Sequence, residues 1–309
     1  MKILLTGASS FTGYWFASAL AAAGHAVVAP LRGRADGYDG VRGERVTRLR
    51  SVATIVEACA FGSGPFLELV RRERFDVFAH HASATANYTS RDFDAANALV
   101  ENTRDAPKLI QTFRDLGGQA VILTGSVFEQ DEGAGNAPMT AFSPYGLSKG
   151  LTAQFFRYWC HEHNVRLGKF VIANPFGPYE EARFCSYVIR AWLAGQTPNV
   201  RNPRYVRDNI HVDLLAKLYV RFVESVAANA GPLKLNPSGY PESQGAFALR
   251  LARELGPRLG IPVPIDFSEQ TAFPEPAVRI NTDIPDLRQV EWSESAAWDG
   301  VAAYYKDRR

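Results

Sequence analysis

The chain has 309 residues, enough for two domains or one enlarged α/β unit. With 46% hydrophobic and 21% charged residues the composition is globular, which excludes wholesale disorder. A net charge of +2 excludes the polybasic footprint that a nucleic-acid polymer or an anionic membrane surface requires, and no apolar run reaches the roughly 18 residues of a bilayer span.

In chain order, apolar β-favouring runs fall at 3–6, 25–29, 46–49, 75–79, 120–124 and 169–173. Helical runs fall between them, at 14–23, 95–116 and 144–163. This alternation predicts right-handed crossovers and a Rossmann-type, doubly wound parallel sheet. An enlarged stretch over 51–64 follows the third strand and reads as surface elaboration. After Asn174 the regular βα units stop and Gly, Pro and Arg become frequent, predicting a smaller C-terminal substrate-binding domain. The expected division is a dinucleotide-binding domain over 1–173, rejoined by a strand and helix within 206–230. The substrate domain then takes 174–205 and 231–309. Three scattered cysteines (Cys59, Cys160, Cys185) and an apolar strand starting at Ile3 argue against a disulfide framework and a signal peptide. A cytoplasmic protein is expected.

The first strand runs into Gly7-Ala8-Ser9-Ser10-Phe11-Thr12-Gly13 and then a helix. In that context a glycine turn brings backbone N–H groups and the positive helix end to a pyrophosphate. Ser10 replaces the middle glycine of the usual pattern and still permits close approach. Gly7, Ser9, Ser10, Phe11, Thr12 and Gly13 are therefore cofactor candidates. The second strand ends at Ala29-Pro30-Leu31-Arg32-Gly33-Arg34, with no acid before Asp36. An acid there would bind the ribose 2′-OH of NAD, whereas arginine suits a 2′-phosphate. Arg32 and Arg34 thus favour NADP, with NAD the alternative.

Ser143-Pro144-Tyr145-Gly146-Leu147-Ser148-Lys149 is the most informative stretch. Tyr145 and Lys149 are four apart and share one helix face. Lysine is scarce in this chain, which holds only Lys2, Lys108, Lys149, Lys169, Lys217, Lys234 and Lys306 among 34 basic residues, so chance placement is a poor explanation. An ammonium about 5 Å from the phenol, at an effective dielectric of about 20, would favour phenolate by about 3 kcal/mol. That makes Tyr145 a general acid/base candidate. A strand ending in Thr124-Gly125-Ser126 at the carboxyl edge offers Thr124 or Ser126 to hold the reacting oxygen.

Together these stations resemble the extended short-chain dehydrogenase/reductases, in particular the NAD-dependent epimerase/dehydratase family that modifies nucleotide sugars. The matching stretches are Thr6-Gly7 to Gly13, Asp76-Val77-Phe78-Ala79-His80-His81-Ala82, the Thr124 strand end, Pro144 to Lys149, Asn174-Pro175-Phe176-Gly177-Pro178 and Arg207-Asp208-Asn209-Ile210-His211-Val212-Asp213. The resemblance implies Tyr145 as acid/base, Lys149 on the nicotinamide ribose, and Thr124 as the hydroxyl residue. It also implies Asn174 and Arg207 as contacts to the sugar nucleotide, a packing role for the histidine at the His80 station, and a homodimer; His80 and His81, which close a strand, and Ala82 after them are read as lining the cofactor cleft. The implied chemistry is hydride transfer at a sugar carbon, as 4-keto reduction or, alternatively, 4-epimerisation with retained NAD. Family dehydratases carry an acidic pair after the hydroxyl residue. Gly125 and Ser126 stand there instead, which disfavours 4,6-dehydration.

Rival readings of other residues are weaker. Gly146-Leu147-Ser148-Lys149-Gly150 fits a nucleophile-elbow pattern, but the preceding Ala141-Phe142-Ser143-Pro144 is a poor core strand. Cys160, His161 and His163 diverge on a helix, so no metal site is expected. Cys185 is either a second acid/base facing the substrate or, the favoured reading, a buried apolar cysteine. Tyr88 is a candidate substrate contact in a polar loop. A redox-silent dinucleotide-sensing protein is the reading from a different class, and the intact Tyr145–Lys149 pair argues against it.

Overall fold

The computed structural model describes residues 1–135 and 140–308. The chain opens with β1 (Lys2–Thr6), α1 (Phe11–Ala22), β2 (Ala26–Pro30), α2 (Gly40–Leu49), β3 (Thr54–Val56), α3 (Gly64–Arg72) and β4 (Val77–His80). Next come α4 (Ala95–Thr103), α5 (Ala106–Asp115), β5 (Ala120–Ser126), α6 (Pro144–Glu162) and β6 (Arg166–Ile172). The rest is more broken: β7 (Asn174–Phe176), α7 (Phe184–Leu193), β8 (Asn199–Val200), β9 (Val206–His211), α8 (Val212–Ala227) and β10 (Lys234–Leu235). It closes with β11 (Tyr240–Ser243), α9 (Gln244–Leu259), β12 (Asp266–Phe267), β13 (Val278–Arg279) and α10 (Glu294–Lys306).

Seven parallel strands form the main sheet in the order β10-β6-β5-β4-β1-β2-β3. The direction of winding reverses between β1 and β4, and ligands of such sheets sit at the carboxyl ends beside that reversal. Both faces are covered, which is why the central strands are almost continuously apolar. Phe16 and Leu20 of α1 and Tyr219 and Phe222 of α8 fill one face, where the Phe16 and Tyr219 rings stack at 3.9 Å. Phe66, Leu109, Phe113 and Phe156 fill the other. A smaller sheet is assembled around β9, with β7 and β13 parallel to it and β11 antiparallel. It packs on its own core of Phe176, Trp192, Phe247, Leu251 and Trp298.

Four expectations are corrected. Residues 46–49 are the end of helix α2, with Arg45, Val46 and Leu49 buried at helical spacing. The third strand, at Thr54–Val56, is only three residues long and lies inside the stretch taken for surface elaboration. The helix expected over 95–116 breaks at Asp105, whose backbone is left-handed (φ 53°), and restarts with Pro107 in its first turn. In the returning segment, helix α8 does cover the main sheet, but strand β9 pairs only within the smaller sheet. The seventh place beside β6 goes to β10 instead. The polar sequence Arg207-Asp208-Asn209 explains this: Asp208 is fully buried and accepts N–H bonds from Gly239 (2.8 Å) and Asn281 (3.1 Å), partners that only the smaller sheet supplies.

Candidate active site

One cavity of about 850 Å³ runs along the carboxyl ends of β1, β4 and β5 and on to the smaller sheet. At its floor β1 ends in Gly7, which turns with φ +73°. A side chain there would strike the backbone of Ala82 at 2.8 Å. Ser10 caps α1 by accepting the Gly13 N–H at 3.2 Å. Ser9, Ser10, Phe11 and Thr12 line the cavity, and Gly13 lies behind them, its α-carbon packed on the Gly7 carbonyl. Glycine turn, free N–H groups and helix terminus together form a cradle that fits a dinucleotide pyrophosphate.

The two arginines of the β2 end part company. Arg32 lines the cavity, whereas the exposed Arg34 pairs with Asp36 at 3.3 Å and does not. Its place is taken by Arg42 of α2, which the sequence reading missed. Arg42 donates to Ser9 Oγ at 2.9 and 3.2 Å and lies over the Tyr38 ring at 4.9 Å. Arg45, one turn on, is fully buried and donates to the Ser9 and Tyr179 carbonyls and to Glu181. A four-residue run misread as strand hid both from the sequence reading.

His80 and Ala82 also line the cavity. Both nitrogens of the His80 ring are engaged, with Thr6 Oγ1 and the Asn102 carbonyl at 3.1 Å each, and the ring stacks on Phe156. It braces the strand ends. The next residue, His81, bridges Ser10, Thr12 and Thr124 at 3.0 Å each.

Tyr145 and Lys149 both face the cavity from the first turns of α6. Ser143 caps that helix and Pro144 occupies its first position. Gly146 is required between them, since a side chain there would meet the Phe128 carbonyl at 2.0 Å. The Tyr145 ring is held edge-on by Tyr88, Phe93 and Phe128, so Tyr88 lies at the site. Burial holds the Tyr145 phenol above its ordinary range, and the nearby Glu129 carboxylate adds to this. The expected depression by Lys149 is therefore not what the protein alone shows. Burial of the phenol dominates, the one opposing charge is Arg183 rather than Lys149, and Lys149 is itself driven down to about 8, chiefly by burial.

Thr124 and Ser126 both line the cavity. Ser126 Oγ already accepts the Phe128 N–H at 3.2 Å, and Thr124 touches His81. Position 125 carries no side chain, and a β-carbon there would lie 2.7 Å from the flexible end of Lys169, which would have to shift. The nearest carboxylate, Glu129, is tied to Lys169 at 2.5 Å and to the Ser126 N–H at 2.6 Å. Lys169 also holds Glu132, which binds Lys234 and Asn236.

Asn174 and Cys185 line the far end with Glu180, Asn209 and Gln244. Burial raises the Cys185 thiol far above its ordinary value, so it stays neutral, as the apolar reading has it. Arg207 points away from the cavity, to Glu275 at 2.9 Å and the Pro276 and Ala277 carbonyls. Ser148 is interior to α6 and donates to the Tyr145 carbonyl at 2.8 Å, not the geometry of a nucleophile elbow. Cys160 is buried in the core, while His163 stacks on Trp159. Among the described residues, no helix is long and apolar enough to cross a membrane.

A switch-point cavity with a glycine-turn cradle and a Tyr–Lys helix pair defines a dinucleotide-dependent short-chain dehydrogenase/reductase fold. The profile of the NAD dependent epimerase/dehydratase family matches residues 3–236, and the chain belongs to that family. Solved structures agree on the fold. A UDP-glucose 4-epimerase from Stenotrophomonas maltophila, with bound NAD and formylated UDP-arabinopyranose, superposes with a TM-score of 0.73 at 18% identity. That match covers 100% of this chain and 98% of the other. A UDP-glucuronic acid 4-epimerase mutant from Bacillus cereus, in complex with NAD and a fluorinated substrate analogue, gives 0.74 at 15% identity over 100% of both chains. A UDP-glucose 4-epimerase from Thermotoga maritima gives 0.73 at 17% identity, covering 100% and 99%.

Proposed function

We propose that this protein transfers hydride at C4 of a nucleotide-activated sugar, reducing a 4-keto group. The observation that carries the reading is the convergence of Tyr145, Lys149 and Thr124 on one cavity that also contains the phosphate cradle. A bound nicotinamide supplies the hydride. Lys149 holds the nicotinamide ribose, Thr124 hydrogen-bonds the reacting oxygen, and Tyr145 delivers its proton to that oxygen. A phenol kept protonated by burial is suited to that donation. Asn174 and the far lobe receive the nucleotide sugar, and Tyr88 flanks it. Arg32 and Arg42 at the adenosine end favour NADP, whose exchange suits net reduction. Dehydration is disfavoured, since Gly125 and Ser126 stand where family dehydratases carry an acidic pair.

Epimerisation at C4 is the second reading, favoured by the UDP-sugar 4-epimerases among its structural neighbours. The same residues would then run oxidation and re-reduction. The test is to analyse the purified protein for held nucleotide, then assay 4-keto nucleotide sugars with NADPH and UDP-hexoses without it. Net NADPH oxidation supports reduction. Retained NAD with sugar interconversion replaces it with epimerisation, and activity with neither overturns both. We also read the protein as a cytoplasmic homodimer. Exposed Leu147, Leu151 and Tyr158 along α6, with Val100 on α4, form an apolar face suited to a second copy. Sedimentation of the wild type against Leu151→Glu tests the dimer.

A further inference from the structure

His81, just past the end of β4, connects side chains of two other elements, α1 with its cap and β5. Its Nε2 lies 3.0 Å from Ser10 Oγ and 3.0 Å from Thr12 Oγ1, both in the phosphate cradle. Its Nδ1 lies 3.0 Å from Thr124 Oγ1 at the end of β5. The ring is fixed edge-on against Phe16 at 5.2 Å.

One assignment of directions uses every hydroxyl proton in the cluster. Ser10 Oγ accepts the Gly13 N–H and in that assignment donates its own proton to Nε2. Thr12 offers a second hydroxyl to the same lone pair. A neutral imidazole with Nε2 accepting carries its one proton on Nδ1. The ring then donates to Thr124, whose hydroxyl proton is not spent on the imidazole and is left to the cavity or to the buried Tyr219 hydroxyl beside it. In the opposite tautomer Thr124 would spend that proton on the imidazole and could only accept. Burial pushes His81 down to about 3, with the Lys149 charge adding to this, so the ring is neutral at physiological pH.

We propose that His81 is a positioning residue, held as the Nδ1–H tautomer by the cradle hydroxyls, which keeps the Thr124 proton aimed at the reacting oxygen. Seating of the dinucleotide and orientation of the catalytic hydroxyl are thereby linked through one ring. The proposal rests on the hydride-transfer reading for what Thr124 does, but the tautomer can be read without any substrate.

The experiment uses the full chain labelled at histidine nitrogen, with His81 assigned by its disappearance in His81→Asn. The expected spectrum has a protonated Nδ1 and an unprotonated Nε2 at neutral pH, and Thr124→Val moves the proton toward Nε2. An Nε2–H or doubly protonated ring in the wild type overturns the proposal, even if a nucleotide sugar is turned over. Two variants then divide the ring's contacts. His81→Asn keeps a donor near the Nδ1 position. It should weaken NAD⁺ and NADP⁺ binding about three- to tenfold by calorimetry while the saturated rate changes little. His81→Gln keeps a group near Nε2, and should leave both dissociation constants nearly unchanged while slowing hydride transfer about tenfold. Equal losses in both variants mean that the ring only packs, and overturn the proposal. Correct tautomers with no turnover of any sugar nucleotide would instead fault the hydride-transfer reading.

Discussion

The two ends of the cavity are built on opposite principles. At the cradle end the hydroxyls of the β1–α1 turn are paired within the chain: Thr6 with His80, Ser9 with Arg42, Ser10 and Thr12 with His81. At the far end Glu180 Oε2, Asn209 Nδ2 and Gln244 Oε1 are buried with no hydrogen-bond partner among the described residues. Leaving such an atom unpaired costs roughly 1–3 kcal/mol. The first end is therefore a finished socket, rigid before its ligand arrives. The second carries unsatisfied groups that a polar ligand can pair, so discrimination between ligands belongs there. Arg45 bolts the two together, reaching the Ser9 carbonyl on one side and Tyr179 and Glu181 on the other.

The largest expected effect lies where the ends meet. Tyr145→Phe removes the proton donor and leaves the ring packing, so turnover should fall about 10²- to 10⁴-fold. Dinucleotide affinity, a property of the finished end, should hardly move in the same titration. Surviving turnover would place the acid/base elsewhere. Next is Arg45→Ala, which strands two carbonyls and opens a void in the buried join. We expect a loss of about 2–4 kcal/mol in denaturant unfolding, with Glu181 partly exposed and so contributing little of it. A loss near zero would mean that the ends are independent.

The same contrast governs what could be read from the sequence. The cradle end was legible because its chemistry is local: Gly7 to Gly13 form one turn, and Tyr145 and Lys149 sit one helical turn apart. Residue type and spacing then carry the geometry. Arg42 and Arg45 were lost because Val46 and Leu49 make an apolar pair that suits strand or helix equally, while the true strand has only three residues. The place of His81 in the cleft is legible from the strand end it closes, but its bridging role is not, since its three partners lie about 40 to 75 positions away. The far end is assembled from Glu180, Asn209 and Gln244, which only the long-range pairing of the smaller sheet brings together. Arg207 shows the converse. Its motif matched the family, yet its guanidinium is committed to Glu275 and the Pro276 and Ala277 carbonyls.

Glu180 sharpens the contrast through pH. Burial pushes its carboxyl up to about 8, only partly offset by Arg183 and the Tyr305 hydroxyl. A carboxyl raised in the folded chain contributes stability that is complete below its unfolded value near 4.5 and is lost as pH rises through about 8. Glu180→Gln cannot ionise. Relative to wild type it should gain about 4 kcal/mol between about pH 5 and pH 9, read as a diverging pair of melting curves. Parallel curves would show that the carboxyl is solvated, and that the far end is less dry than its unpaired atoms imply.

The smallest effect separates three arginines at the finished end. Arg42 is anchored on Ser9 and Tyr38, so its guanidinium is already oriented where it borders the cavity. Arg34 is turned to Asp36 and solvent. Arg42→Ala should therefore weaken NADP⁺ about three- to tenfold and leave NAD⁺ unchanged by calorimetry, the scale of one exposed charge-assisted contact. Arg32→Ala should act in the same direction, and Arg34→Ala on neither nucleotide. If Arg42→Ala weakened both nucleotides equally, its role would be to brace Ser9 rather than to read the 2′-phosphate. The preference for NADP would then rest on Arg32 alone. Loss of NADP⁺ affinity in Arg34→Ala would require the loop over 31–38 to turn inward on binding, making this end less finished than its hydrogen bonds indicate.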